Sequence, residues 1–478
     1  EGVKETKQAF GNLFSQVDYL CKAHGIKVAD KIAIQTMRRH SNSQEPLSSE
    51  DLKYDARALA IFISAVFGVD VPHELNVLIP HTNRPYQKGL EINNHRIRCI
   101  VKNWDSDFIR VDIDQDADEE EYLVQLKDEE NHIDHTYLWD ILKEGMQLNL
   151  LDCQVKQPVI TPRLIVVEPD YLVDISSIAT CFTAFGHHPL LYLLNQMKPR
   201  ANTQATLLGN FAGAALDDII NTNGKYQMNE TIKTNFREKA LEFCTCPWFD
   251  AKKFYTDASL QAFNLQQVVD ILFPRTASQA QMSAFRGESL YDRKKAILEP
   301  SFVCEALGIQ GRVDLMTTDC KLLVEQKSGR NMNIETHQVD PGYHSYQLEP
   351  HYVQLLLYYG VLQHNFKLSN DRVNIRLLYS KYQPQDGLMV VAYYHKLFQE
   401  AITYRNQLVA ASFEIAKEGF EHALNEFTPD VLNVAGTQDF FYNKYLKPQI
   451  EASTSPLHNL TPLEEAYFCR MMTFVLRE

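Results

Sequence analysis

The chain has 478 residues, 45% hydrophobic and 23% charged, a composition that fits an ordinary globular protein with room for roughly two to four domains. Its formal net charge of −14 excludes loose, charge-driven nucleic-acid binding over the whole surface, although a channel needs only local positive charge. With no run of about eighteen apolar residues and no charged-then-apolar N-terminus, no membrane span or secretion is expected, and the location is cytoplasmic if the protein is bacterial.

Residues 1–75 read as helical: Phe10, Leu13, Phe14, Val17 and Leu20 recur at helical spacing, as do Leu59, Ile61, Phe62 and Val66. The polar stretch 38–43 between them reads as a loop. Glu1 stands where a starting methionine is usual, so a trimmed chain is expected. From 76 to 168 the pattern changes to short β runs at 97–101, 108–111, 122–126, 148–155 and 163–167, with a helix near 137–142. Five strands with one helix before the fourth predict a small closed barrel of the OB type. Between the second and third runs, Asp112, Asp114, Asp116, Asp118, Glu119, Glu120 and Glu121 read as a solvated loop.

The next region, 169–425, opens with an apolar, serine-containing segment that runs into Cys181. A helix follows from about 203 to 220, with Leu208, Phe211, Ala212, Ala215 and Ile219 as its buried stripe. Gly209, Gly213 and Asp217 lie four apart on another edge, which leaves space beside Asp217. Then comes a predicted hairpin: Gly308 and Gly311 punctuate a strand that ends at Asp314 and Leu315, 317–319 turns, and 322–329 returns. Residues two apart in a strand share a face, so Glu325 and Lys327 project together, Gln326 faces away, and Asp314 can face the pair. Two carboxylates converging beside an ammonium suit a hard cation and a water held next to a phosphate. A helix carrying Gln354 and Tyr358 follows, then strands near 376–380 and 389–392, and a helix from about His395 that includes Arg405 and Asn406. The remainder, 426–478, is read as a helical C-terminal segment.

These residues resemble the PD-(D/E)XK nucleases, in particular the RecB-like branch found in flap-processing replication helicase-nucleases and in CRISPR adaptation nucleases. The family pattern is a G-x-x-G-[RK]-[IV]-D strand, an E-x-K-[ST]-G strand and a Q-x-x-x-Y helix; here these are Gly308 to Asp314, Glu325 to Gly329, and Gln354 with Tyr358. The resemblance implies an α/β restriction-endonuclease-like core, a central mixed sheet flanked by helices, with the barrel and helical region ahead of it. It implies that Asp314, Glu325 and the Gln326 carbonyl bind Mg²⁺ or Mn²⁺, and that Lys327 positions or activates the attacking water. Gln354 and Tyr358, with Arg312 and Arg330 beside the two strands, would contact nucleic acid. Where the family has a metal-binding histidine, this chain has Asp217, which makes an all-oxygen site.

Relatives with an iron–sulfur cluster use a cysteine at the place of Cys181 and three more after the Q-x-x-x-Y helix. Beyond Tyr358 this chain has only Cys469, so no cluster is expected. Aromatic packing near 437–446 is expected in its place. The segment 460–468 resembles the hand-over to a superfamily-1 helicase, yet no G-x-x-x-x-G-K-[ST] loop occurs, so the implied partner is a helicase domain elsewhere in the parent chain. The expected activity is metal-dependent hydrolysis of DNA, on single strands or flaps. Two alternatives stay open: a single-strand-binding module with weakened catalysis, and a restriction-type endonuclease.

Overall fold

The computed structural model describes residues 3, 10, 13–42, 47–84, 95–113, 122–156, 158–183, 186–198, 202–222, 225–340, 343, 345–368, 373–434, 436 and 438–478. They form a mixed α/β protein with several sheets, the largest of seven strands. Most of the expected acidic loop, from Asp114 to Glu121, lies outside the described residues.

Three helices, Leu13–Ala23, Val28–Asn42 and Ser49–Phe67, open the chain and share a small core of Val17, Cys21, Ile34 and Ala58. The loop expected at 38–43 is corrected over 38–42, where the second helix continues to Asn42; Ser43 lies outside the described residues. Arg38 is buried there and its Nε donates to Gln35 Oε1 one turn back at 2.8 Å, so the polar run is satisfied inside the helix. The third helix starts where Ser48 and Asp51 form a capping box and stops at Gly68 in a left-handed conformation.

The β region forms one antiparallel meander, β1 (Arg96–Trp104), β2 (Phe108–Ile113) and β3 (Tyr122–Gln125), followed by β4 (Gln147–Leu151), β5 (Gln154–Lys156), β6 (Val159–Thr161) and β7 (Leu164–Val167). The strand order is β5-β6-β3-β2-β1-β4-β7. Where a five-stranded closed barrel is expected, the described residues show this seven-stranded sheet, with no ladder between its outer strands β5 and β7. Two local breaks explain the extra strands. Asp152 takes a left-handed φ of 49° and splits the expected long fourth run. Pro162, which has no N–H to give a ladder, separates β6 from β7. Because only Pro162 and Arg163 intervene, β6 pairs parallel with β3 while β7 pairs antiparallel with β4 on the other side of the sheet. Alternate residues, among them Cys99, Val101, Ile109, Val111, Val124, Leu148, Leu150 and Ile165, bury into one core. The helix expected near 137–142 is a short 3₁₀ turn, Thr136–Asp140.

Two of the smaller sheets carry or flank the residues singled out by their chemistry. A five-stranded sheet has the order β9 (Ala296–Leu298), β12 (Leu315–Thr317), β13 (Leu322–Lys327), β14 (Asn374–Tyr379) and β15 (Leu388–Val390). A three-stranded one places β11 (Ile309–Arg312) between β8 (Val173–Asp174) and β10 (Ser301–Cys304). The pleat of β13 sends Leu322 and Val324 into the core shared with the helices Gln204–Asn221 and Ala251–Leu272, and Leu323 into the core shared with Glu349–Phe366 and His395–Glu418. The sheet is therefore a middle layer between two helical layers. β13 is buried on both faces, which is why it reads as an almost continuous apolar run until Glu325.

At the C-terminus, Tyr442 and Leu446 are buried beneath the helices Lys447–His458 and Pro462–Arg477. Phe440, Phe441 and Tyr445 are exposed, with the Phe441 and Tyr445 rings packed on each other at 5.4 Å, so of the described aromatics near 437–446 Tyr442 alone is buried in the core. Thr437 lies outside the described residues. No helix of the described residues is long and apolar enough to cross a membrane.

Candidate active site

The predicted hairpin forms, with one correction. β12 and β13 pair antiparallel through Leu315 and Val324, but the stretch 308–315 is not one strand. It breaks at Val313 and Asp314: β11 belongs to the three-stranded sheet, and β12 to the five-stranded one. The break puts Asp314 on a bend where its backbone oxygen accepts the Glu299 amide at 3.0 Å and its side-chain Oδ2 accepts the Gln326 amide at 2.5 Å. The aspartate is thereby locked onto the end of β13.

Alternation along β13 does what its spacing predicts. Gln326 turns toward the Ala251–Leu272 helix, donating from Nε2 to Ser380 Oγ at 2.6 Å; that hydroxyl donates in turn to Gln261 Oε1 at 2.5 Å. Gln261 Nε2 donates to the Ser328 carbonyl at 3.0 Å, and Asn264 Nδ2 to the Ser380 carbonyl at 3.0 Å. Gln261, Asn264 and Ser380 thus brace the end of the strand. Sequence reasoning missed them, although two buried amides interrupting an apolar helical stripe were a visible signal.

Glu325 and Lys327 turn to the opposite face. Lys327 Nζ donates to Glu325 Oε1 and to Gln354 Oε1, both at 2.8 Å. Glu325 is buried, and its Oε2 has no hydrogen-bond partner among the described residues. Burial, and after it the charge of Asp314, push its carboxyl up to about 8 against the pull of Lys327. Burial also raises Asp314, in spite of the Gln326 amide and Lys327.

Asp217 sits half-buried on the Gln204–Asn221 helix. Its carboxyl rises to about 6 through burial, then through the charges of Glu299 and Asp314. It therefore stands in the neighbourhood of Asp314 and Glu299. Glu299 joins the same cluster; its Oε2 pairs with Arg312 Nη1 at 3.0 Å. Around Asp217, a Cβ on Gly213 would meet open space, whereas one on Gly209 would lie 3.2 Å from Ser328 Oγ.

The four residues assigned to nucleic acid fall in different settings. Gln354 is buried and holds Lys327. Tyr358 is buried, its hydroxyl donating to the Arg312 carbonyl at 2.6 Å and its ring packed where a Cβ on Gly311 would stand. Arg312 has an exposed side chain beside Glu299, and Arg330 is exposed and paired with Glu335, its Nε 2.6 Å from Oε2. Cys181 is buried, its thiol pushed up to about 12 by burial.

Compared with known protein families and with curated proteins, the chain finds no match in either.

Among the described residues, no three His, Cys, Asp or Glu side chains are drawn together as a metal-holding group. The Asp314 charge raises the proton affinity of both Asp217 and Glu325, without the three forming a closed coordination sphere. The donor set nevertheless fits a hard cation. It consists of carboxylate oxygens, one of them buried without a partner, in a place where excess negative charge has no local remedy beyond Lys327 and Arg312.

Proposed function

We propose that this protein is a metal-dependent deoxyribonuclease of the PD-(D/E)XK type, RecB-like in its site, that hydrolyses phosphodiester bonds in single strands or flaps. The observation that carries this reading is the convergence of Asp314, Glu325 and Lys327 at the end of one buried strand, with Asp217 brought into the neighbourhood of Asp314 from a separate helix. Charged groups are rarely kept in such a place without a task.

Asp314, Glu325 Oε2, the Gln326 carbonyl and Asp217 are the groups that would hold Mg²⁺ or Mn²⁺. When bound, such a cation supplies positive charge that polarises the phosphate and acidifies a water. Lys327, fixed between Glu325 and Gln354, orients the attacking water and offsets negative charge as it builds on the phosphate. Gln354 keeps the ammonium from folding wholly onto Glu325. Arg312 offers an exposed cation for the strand's backbone.

The OB-like character of the β region is supported by the kink at Pro162, which lets β6 and β7 pair with strands on opposite sides of the sheet. A superfamily-1 helicase domain in the parent protein is supported by the resemblance of 460–468 and by the apolar face that Leu463, Tyr467 and Phe474 leave uncovered.

The test is cleavage of labelled single-stranded DNA and of a flapped duplex with Mg²⁺ or Mn²⁺, comparing wild type with Glu325→Ala and Lys327→Ala. The reading requires that the wild type cuts and both variants fail. Binding without cutting would convert it to a single-strand-binding module, and cutting only at a defined duplex sequence to a restriction-type enzyme.

A further inference from the structure

His351 stands three residues before Gln354 and seven before Tyr358 on the Glu349–Phe366 helix, so the three share one face. Its Nδ1 lies 3.0 Å from the hydroxyl of Tyr379. Tyr379 is the register partner of Lys327 across the parallel β13–β14 pair, and side chains in register point to the same face. Imidazole and ammonium are thus brought to one side of the sheet by two independent elements.

The hydrogen bonds decide which nitrogen carries the proton. The Tyr379 oxygen already accepts the Leu348 amide at 3.1 Å, and the arrangement that also uses its hydroxyl proton has that proton given to His351 Nδ1. Nδ1 is then an acceptor, and the ring proton sits on Nε2. Burial, and after it the Lys327 charge, hold the imidazole down to about 4, so it is neutral and keeps this tautomer at physiological pH. Nε2 makes no hydrogen bond with any described residue and is not among the sealed, partnerless polar atoms of the interior. Among the described residues, Nε2 is thus an N–H donor with no acceptor, on a ring that feels the Lys327 charge. A group that accepts from both is an oxyanion.

We propose that His351 is a substrate-contacting residue of this site, its Nε2–H donating to a non-bridging phosphate oxygen of the bound strand next to the phosphate that Lys327 faces. This rests on the nuclease reading above and adds a neutral donor to it. A neutral donor suits the position: a second cation there would repel Lys327, whereas an N–H stabilises the phosphate without changing the charge of the site.

The experiment pairs single-turnover cleavage of a 5′-labelled single-stranded oligonucleotide in Mn²⁺ with equilibrium binding of the same oligonucleotide in EDTA. It uses wild type, Lys327→Ala, His351→Ala and His351→Gln, with melting temperatures for each. We expect cleavage by His351→Ala to fall about tenfold to a hundredfold, with His351→Gln, which restores an N–H donor, within about threefold of wild type and all melting curves nearly superimposed. Wild-type rates in His351→Ala, with Lys327→Ala inactive, overturn the proposal and leave the nuclease reading standing. Equal losses in the Ala and Gln variants, with lowered melting temperatures, also overturn it, because the role is then structural. If the wild type does not cut at all, the nuclease reading fails and the EDTA titration decides: weaker binding by His351→Ala alone supports the phosphate contact, and unchanged binding refutes it.

Discussion

The guanidinium of Arg405 occupies the space that a side chain on Gly308 would need. It is buried; its Nε donates to the Gly308 carbonyl at 3.2 Å, while its other nitrogens reach the carbonyls of Val167, Glu168 and Tyr171. One side chain therefore ties the end of the seven-stranded sheet to the start of β11. Asn406 extends the tie by accepting the Val167 amide and donating to the Ile165 carbonyl.

Arg405→Met leaves four buried carbonyls without this donor, and we expect a loss of at least about 3 kcal/mol in urea unfolding. Gly308→Ala is expected to cost roughly 1–3 kcal/mol for overpacking and as much again for its left-handed backbone. A Cβ there would collide with Arg405 and lie 2.9 Å from the Pro169 carbonyl, at a φ of +61°. A midpoint unchanged in either variant would show that this junction does not hold the two parts together.

Gln354 and Tyr358 lie one turn apart and should behave differently. Gln354→Ala removes one of the two acceptors that fix Lys327, so cleavage should drop about tenfold to a hundredfold through misplacement, with stability little changed. Tyr358→Phe loses the hydroxyl's bond to the Arg312 carbonyl and should cost about 1 kcal/mol of stability, with cleavage close to wild type. Parallel single-turnover and denaturation measurements separate the two roles.

Glu325 should report metal binding without any substrate. Ionising it in the folded state is opposed by burial and Asp314, so a bound divalent cation offsets a cost already present. Wild type should gain about 2.7 kcal/mol with Mn²⁺ at a hundred times its Kd, seen as a raised melting temperature, whereas Glu325→Gln should gain little. Equal shifts in the two proteins would place the cation elsewhere.

His187 sets a pH limit on stability. Its Nε2 lies 2.8 Å from Glu349 Oε2 and its Nδ1 2.6 Å from Glu400 Oε1, joining the Glu349–Phe366 and His395–Glu418 helices. Burial pulls the imidazole down, but the two carboxylates outweigh it and raise it to about 9 from 6.5. A raised folded-state pKa means the contribution is complete below about 6.5 and is lost as pH climbs through 9; it amounts to about 3 kcal/mol at most. Unfolding free energy should therefore decline between those values in wild type, and His187→Gln should flatten that decline.

Much of the candidate site was legible because its logic is local. The period of two along 322–327 is enough to put Glu325 and Lys327 on one face and Gln326 on the other, and the structure keeps that alternation. The stripe of the Gln204–Asn221 helix was read from a period of 3.6, and Leu208, counted as buried, proved only partly so, with Leu207 and Leu216 taking up the core. The apolar runs of the β region marked where strands lie. They did not mark how those strands pair, because a single proline and one left-handed aspartate redirect whole segments.

What the sequence by itself determined is the alternation, amphipathicity and residue chemistry carried within a few positions of the chain. Only the tertiary structure decided that 308–315 is divided between two sheets, that Asp217 and Glu299 stand with Asp314, that Tyr358 spends its hydroxyl on a backbone carbonyl, and that His187 bridges two helices. Each of these contacts joins groups that lie far apart along the chain or on different elements. Local periodicity says which way a side chain points from its own backbone; which partner waits there depends on how the layers pack, and that is a property of the whole chain.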